Sequence, residues 1–391
     1  MRVGVYQEPV HTDGRAFDTY GPFARFLGQF ARHFQEVVVF APATDQGGYF
    51  SGCPIDAPNI QVVPLPFFLT HAQAMRHAGG IAAAFRAHSR GLDAIYCRNT
   101  APLGWLLWWF TRRRGVPFVY HFGSDPFEII AQSPKYRGVY GLFARVAYTA
   151  DFQVQKHIMR RNYSFTSGEA ICRRLRKYTA NIEPIMDSSL LPEDYYLRND
   201  CCRGSPVRLL YVGGLRPGKG LEVLLETVRL LRQADRDVVL DLVGDGAMQP
   251  ILSDQARAMG IAEQVRFHGF VVMGPRLNEC YNTADIFVLP SVSEGSPRVV
   301  LEALAHSLPA VATPVGNVPE MLDQGRRGVL APVGDAAALA EGVARIIDDE
   351  VFRGTCIAEG FRFAKAHGIE DFAGRVARKM HELATQERSG P

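Results

Sequence analysis

Short, almost wholly apolar runs alternate along this chain with longer stretches in which apolar residues recur at helical spacing. Residues 2–6 and 36–40 are runs of the first kind. Between them Phe17, Phe23, Phe26, Leu27, Phe30 and Phe34 predict a helix of about 18 residues. The chain therefore opens β-α-β, the start of a sheet covered by helices on both faces. Further strands are predicted at 62–63, 93–97, 116–121 and 163–166, with helices over 101–114 and 170–178. Residues 187–206 break this rhythm with Pro, Ser, Asp and Gly and read as a connection between domains. A second series follows, with strands at 207–212, 239–243, 265–268, 285–289, 310–312 and 328–330. Its helices are predicted at 221–232, 298–306 and 336–348, and further helices close near 381–385. The pattern gives an α/β protein of two doubly wound, Rossmann-like domains, 1–190 and 191–375, with a closing helix over 376–391.

One turn of the second series concentrates chemistry. The strand at 285–289 stops at Pro290, residues 291–295 are small and polar, Ser296 suits an N-cap and Pro297 the first helical position. Glu294 and Glu302 bracket this turn. Ligands of open α/β sheets bind at the carboxyl edge of the strands, and helix N-termini suit phosphate. Two acids placed there can hold hydroxyl groups on either side of a diphosphate, as sugar and ribose flank it in a nucleotide sugar. Two glutamates alone read more simply as a solvated loop acid and a surface helix acid paired with Arg298.

A second loop, Gly213-Gly-Leu-Arg-Pro-Gly-Lys-Gly220, matches G-x-x-x-x-G-K between a strand and a helix. Gly220 stands where a P-loop carries the Ser or Thr that holds Mg²⁺, while the strand ending near Asp241 imitates the acid that accompanies such loops. A P-loop nucleoside triphosphatase is thus the rival class. The alternative makes Arg216 and Lys219 cations that stabilise charge growing on a diphosphate leaving group. The D-x-D at Asp235-Arg-Asp237 lies between a helix and a strand and reads as a turn, so no metal is implied.

Glu294-Gly295-Ser296-Pro297, the E-x7-E pair and Thr313-Pro-Val-Gly-Asn-Val-Pro-Glu320 together resemble the donor-site motif of retaining family 4 glycosyltransferases. The resemblance implies two facing domains with a deep cleft, the GT-B architecture, and a last helix that crosses back to the first domain. It implies sugar transfer from a UDP- or GDP-type nucleotide sugar with retention at the anomeric carbon. Glu294 is then the acid on the donor sugar, with backbone contacts from Gly295 and Ser296, and Glu302 the acid on the ribose. Lys219 and Arg216 face the diphosphate. The family often has Arg directly after the first glycine, and this chain has Gly214 there. Gly244-Asp-Gly246 and Gly269-Phe270-Val271 resemble loops that shape the base pocket, and His121, at a strand end before Gly-Ser-Asp125, is carried over by position to the donor sugar. Roles for Ser124 and Asp125 stay open. Gly14 lies where a nucleotide-type loop meets a helix, although no G-x-G-x-x-G is present. Other readings are a non-catalytic nucleotide-sugar-binding partner subunit and a sugar epimerase on the same architecture.

Bulk properties narrow the partners. The chain has 391 residues and a net charge of +3. Residues 1–190 hold 21 Lys/Arg against 13 Asp/Glu, and the remainder 22 against 27. A basic half suits a saccharide or lipid-linked acceptor carrying phosphate, or peripheral contact with an anionic membrane surface. The helix at 101–114 carries all three Trp and ends in Arg112-Arg113-Arg114, which fits either a membrane surface or packing against a sheet. No aromatic-and-basic RNA-binding pattern is present, so nucleic acid is not an expected partner. Seven Cys without C-x-x-C predict reduced thiols and no structural zinc. The N-terminus enters a strand directly, and the longest apolar run, 103–110, is too short to span a bilayer. The expected place is the cytoplasm or the inner face of its membrane, with no cofactor beyond the nucleotide-sugar co-substrate.

Overall fold

The computed structural model describes residues 1–7, 9–46, 52–99, 101–123 and 138–388. Ser124 and Asp125 lie outside the described residues. The chain forms two compact units, Met1–Ser189 with Ile369–Pro391, and Leu190–Gly368.

In the first unit, β1 (Arg2–Tyr6), β2 (Val10–Thr12) and β3 (Phe17–Thr19) precede α1 (Gly21–Ala31), and β4 (Glu36–Thr44), β5 (Cys53–Pro54) and β6 (Ile60–Leu65) follow. Next come α2 (His71–Arg76), α3 (Ala78–His88), β7 (Ala94–Arg98), α4 (Gly104–Thr111), β8 (Phe118–Phe122), α5 (Gly138–Met159), β9 (Ser164–Ser167), α6 (Glu169–Leu175) and β10 (Ile182–Ile185). Among the described residues the sheet runs β10-β9-β8-β7-β1-β4-β2-β3-β5, with β6 beside β4. Its central strands are parallel because each crossover is a helix, and Val3, Val5, Tyr6, Val38, Phe40, Ile95 and Tyr120 fill both faces.

The first helix is shorter than its phenylalanine spacing predicts. Phe17 pairs in a β2–β3 hairpin instead, and the helix begins at Gly21 with Pro at its first turn. The turn chemistry of Asp13-Gly14 wins locally. Oδ1 of Asp13 accepts from the amides of Arg15 and Ala16, each at 2.8 Å, and Gly14 takes a φ of 87° that a side chain disfavours. Gly14 is therefore an exposed hairpin tip, not the mouth of a strand-to-helix loop.

The second unit holds β11 (Val207–Val212), α7 (Leu221–Gln233), β12 (Val238–Val243), α8 (Gln249–Ala258), β13 (Val265–Gly269), α9 (Pro275–Thr283) and β14 (Ile286–Leu289). It continues with α10 (Arg298–Ala305), β15 (Ala310–Ala312), α11 (Val318–Met321), β16 (Gly328–Leu330), α12 (Ala336–Asp348) and α13 (Glu350–Ala366). All neighbours are parallel in the order β13-β12-β11-β14-β15-β16, so strand order reverses between β11 and β14. That reversal is where open sheets of this kind leave a crevice for ligand. Asp235 has a φ of 55°, and the D-x-D is a turn between α7 and β12. Among the described residues no helix is long and apolar enough to cross a membrane.

The last helix, Ile369–Arg388, belongs to the first unit from Ile369 onward, earlier than residue 376. It buries Phe372, whose ring lies 5.2 Å from Phe26 and 5.8 Å from His121, while Arg375 donates to the carbonyl of Pro184 at 3.3 Å. Phe372→Ala should destabilise the first unit by about 3–5 kcal/mol, the usual cost of emptying a buried phenylalanine site. All three Trp, at 105, 108 and 109, lie in that unit, so tryptophan fluorescence in urea reports it selectively. An unshifted fluorescence midpoint would show that the helix is no part of this core.

Candidate functional site

Two loops meet at the strand-order reversal of the second sheet. Residues 213–220 leave β11 and residues 290–297 leave β14, and the amide of Val292 donates to the carbonyl of Gly218 at 2.9 Å. The approach is closer than side chains permit. A Cβ at Gly220, where φ is 68°, would lie 2.0 Å from the carbonyl oxygen of Pro290. Gly316, with φ 56°, sits equally close to the carbonyl oxygens of Glu294 and Gly295, each 2.2 Å from an added Cβ. Glycine is required at both places, and each contact fixes where a neighbouring functional side chain starts.

Nζ of Lys219 lies 2.6 Å from Oε1 of Glu294, with both side chains only 15% and 13% exposed. Ser291 donates to the same Oε1 at 2.7 Å, and Thr313 holds the carbonyl of Ser291 at 2.5 Å. The amide of Asn317 reaches the carbonyl of Gly295 at 2.8 Å, so the segment after β15 braces the acidic loop. Arg216 is exposed on the neighbouring loop. Beneath both loops lies Tyr211, whose hydroxyl donates to the carbonyl of Gly214 at 3.3 Å. Burial raises its pKa, the Glu294 carboxylate raises it further, and the Arg216 guanidinium opposes them, so both charges act on this hydroxyl.

Gly244 and Gly269 bridge each other at the ends of β12 and β13, through the amide of Gly244 and the carbonyl of Gly269 at 2.8 Å. Phe270 follows at 54% exposure, an apolar face at the carboxyl edge. Ser296 is not the N-cap of α10. Pro297 occupies that position without a side-chain cap, leaving Ser296 half-buried in the loop.

Glu302 is 7% exposed rather than a surface acid. Tyr281, from the last turn of α9, donates its hydroxyl to Oε2 of Glu302 at 2.8 Å. The tyrosine ring stacks on His306 with centroids 5.0 Å apart and planes 12° apart, and Nδ1 of His306 is 2.7 Å from Oδ1 of Asn282. His306 is 2% exposed, and burial pushes its pKa down to about 4.

His121 belongs to the first unit, and its environment corrects the expectation that it faces a ligand. Its side chain is 0% exposed. The hydroxyl of Tyr96 bonds Nδ1, and Nε2 lies 3.0 Å from Oδ1 of Asp187 and 3.1 Å from Oγ of Ser167. Arg98 reaches Oδ2 of Asp187 at 2.8 Å. Burial lowers the His121 pKa against the pull of Asp187, while His121 and Arg98 hold the Asp187 carboxyl well below the usual range despite its burial. A strand end delivers His121 to the carboxyl edge as anticipated, but Asp187, distant in sequence, claims it.

Lys219, Arg216, Gly214, Glu294 and Gly295 thus gather on one edge, and Gly244 links to it because the amide of Leu215 donates to the carbonyl of Asp245 at 2.7 Å. Sequence reading missed Tyr211, Ser291 and Tyr281, and named Thr313 only as the start of the Thr313–Glu320 motif. Ser291, three residues before Glu294, carried a local signal, whereas Tyr211 and Tyr281 looked like ordinary core aromatics. Among the described residues no three His, Cys, Asp or Glu side chains group as a metal site.

Comparison with known proteins bears on the family and the fold. Residues 206–349 match the family described as "Glycosyl transferases group 1", and residues 23–177 match the "Glycosyl transferase 4-like domain". The amylovoran biosynthesis glycosyltransferase AmsK of Erwinia amylovora is 32% identical over 165 residues, covering 41% of this chain and 40% of that protein. The matched stretch spans less than half the length of such curated relatives. In fold, the sucrose-phosphate synthase of Thermosynechococcus elongatus superposes with a TM-score of 0.75 at 19% identity, covering 98% of this chain and 99% of that one. Anabaena HepE, in complex with UDP and glucose, gives a TM-score of 0.69 at 15% identity, covering 97% and 99%.

The neutral His306 has a consequence for stability. Unfolded, it takes up a proton near pH 6.5; folded, it does so only near pH 4. Between these values the unfolded chain binds more protons, so stability falls as the pH drops through that window. The loss across the whole window is on the order of 3 kcal/mol. His306→Gln should flatten this dependence, measured by urea unfolding at pH 7 and pH 4.5 with circular dichroism. Parallel pH slopes for variant and wild type would contradict the assignment.

Proposed function

We propose that this chain, which belongs to the family 4 glycosyltransferases, transfers a sugar from a nucleotide diphosphate sugar to a saccharide or lipid-linked acceptor, with retention and without a metal. The observation that carries the reading is the enclosed Lys219–Glu294 pair at the strand-order reversal. The lysine and the carboxylate lie 2.6 Å apart and neutralise each other. A donor offers each a replacement, its phosphate oxygens for Lys219 and its sugar hydroxyls for Glu294. The pair is thereby suited to a ligand that carries both groups side by side.

In the transfer, the bond from the anomeric carbon to the β-phosphate oxygen breaks and its electron pair stays on that oxygen. The acceptor oxygen bonds to the anomeric carbon, and its proton passes to the departing phosphate. Lys219 and Arg216 stabilise the growing phosphate charge, which is electrostatic catalysis of the kind usually worth most. Gly220, with no hydroxyl, argues against the P-loop alternative, since nothing at that position can ligate Mg²⁺. HepE has been seen with UDP and glucose, which supports a UDP-type donor here.

Lys219→Ala should lower kcat on the order of 10²- to 10³-fold. Glu294→Gln should lower kcat/KM for the nucleotide sugar while leaving binding of the bare diphosphate nearly intact. Transfer assays and calorimetry with UDP, GDP and their sugars check both. The donor should also raise thermal stability equally with Mg²⁺ or EDTA, by about 2.7 kcal/mol at a hundredfold excess over Kd. Stabilisation only by ATP or GTP with Mg²⁺ would overturn the reading.

An anionic membrane surface is the second partner we assign, on the first unit. Trp109 is 50% exposed with the Arg112 guanidinium 3.5 Å above its ring, and the exposed Arg113 and Arg114 follow Arg112 in the chain. Leu142 and Val146, one helical turn apart on α5, are each 61% exposed. Apolar side chains with adjoining cations suit the interface of an anionic bilayer. Trp109→Ala with Arg113→Glu should weaken cosedimentation with phosphatidylglycerol vesicles by about tenfold or more, and phosphatidylcholine vesicles should bind neither protein. Equal binding of variant and wild type would remove this surface as the contact.

A further inference from the structure

Tyr281 joins Glu302 of α10 to His306, the residue that ends that helix. Its hydroxyl reaches the carboxylate of Glu302 at 2.8 Å, and its ring lies flat on His306 at 5.0 Å. It comes from α9, whose last turn runs into β14, so its place is set by the same sheet that carries the acidic loop. The tyrosine is 1% exposed, and its hydroxyl is held protonated by burial and by the carboxylate beside it. A glutamate side chain has three rotatable bonds, and a buried one held at a fixed oxygen by a rigid aromatic donor loses the freedom it would otherwise surrender on binding. His306 gives the ring a stop on its other side. Asn282, the residue after Tyr281, bonds His306 in turn at 2.7 Å, so acid, ring and imidazole lock one another.

We propose that Tyr281 is the positioning residue for Glu302, aiming its carboxylate at the ribose diol of the nucleotide and setting the preference for a ribose over a sugar lacking those hydroxyls. This rests on Glu302 meeting the ribose under the function proposed above. Tyr281 touches no substrate. It acts through the one hydrogen bond, so its contribution should show only with ligands that have the diol.

The probes are UDP and GDP and their 2′,3′-dideoxy analogues, titrated by calorimetry into wild type, Tyr281→Phe and Glu302→Gln. Phenylalanine keeps the ring on His306, and an unchanged urea midpoint by circular dichroism checks that the fold is intact. Tyr281→Phe should weaken binding of the preferred ribonucleotide about three- to tenfold, the range of one lost hydrogen bond, and leave the dideoxy analogue unchanged. Glu302→Gln should abolish most of the same discrimination. If Glu302→Gln does so while Tyr281→Phe weakens both ligands equally or neither, the positioning role is wrong and the site reading stands. If Glu302→Gln keeps full discrimination, or wild type binds neither nucleotide, the ribose assignment falls and the role of Tyr281 falls with it.

Discussion

The ion pair between Lys219 and Glu294 is the interaction on which the rest of the donor edge depends. Each charge has little solvent, and each would be costly to leave alone at that depth. Its geometry is set by backbone. The carbonyls of Pro290, Glu294 and Gly295 press against Gly220 and Gly316, so the loop that bears the acid and the loop that bears the lysine have little room to drift. Ser291 then fixes the acceptor oxygen of Glu294 from its own loop. Side-chain precision here follows from close backbone contact.

Glu302 is handled differently. It sits on a regular helix, and neighbouring side chains rather than loop packing decide its orientation. The two acids therefore have separate supports, one of glycine-mediated contacts and one of a stacked aromatic pair. A ligand with hydroxyls at both ends of a diphosphate would test the two supports independently.

The buried cluster around His121 shows the same physics without a ligand. Tyr96 and Arg98 come from β7, Ser167 from the end of β9 and Asp187 from the segment after β10, and they surround His121 in a buried space. A histidine at a strand's carboxyl end is a fair candidate for ligand contact when only its position is known. Here an acid 66 residues further on occupies that role (187 − 121 = 66).

Much of the second unit was legible in the sequence. Its strands are continuous apolar runs that only a parallel sheet with both faces covered can bury, and strands 207–212, 310–312 and 328–330 fall where the pattern put them. Glu294, Lys219 and the glycines announced themselves because their motifs are local. The hairpin at Gly14 was missed because an Asx turn of three residues outweighed a phenylalanine spacing spread over many. Tyr211 and Tyr281 were invisible, since an aromatic ring reads as core until its hydroxyl is seen to point at a carbonyl or a carboxylate. Residue order alone determined which elements form and which chemistry each loop carries. Only the tertiary structure decided which polar groups meet, because hydrogen bonds and charges act over a few ångströms between residues the chain separates by tens of positions.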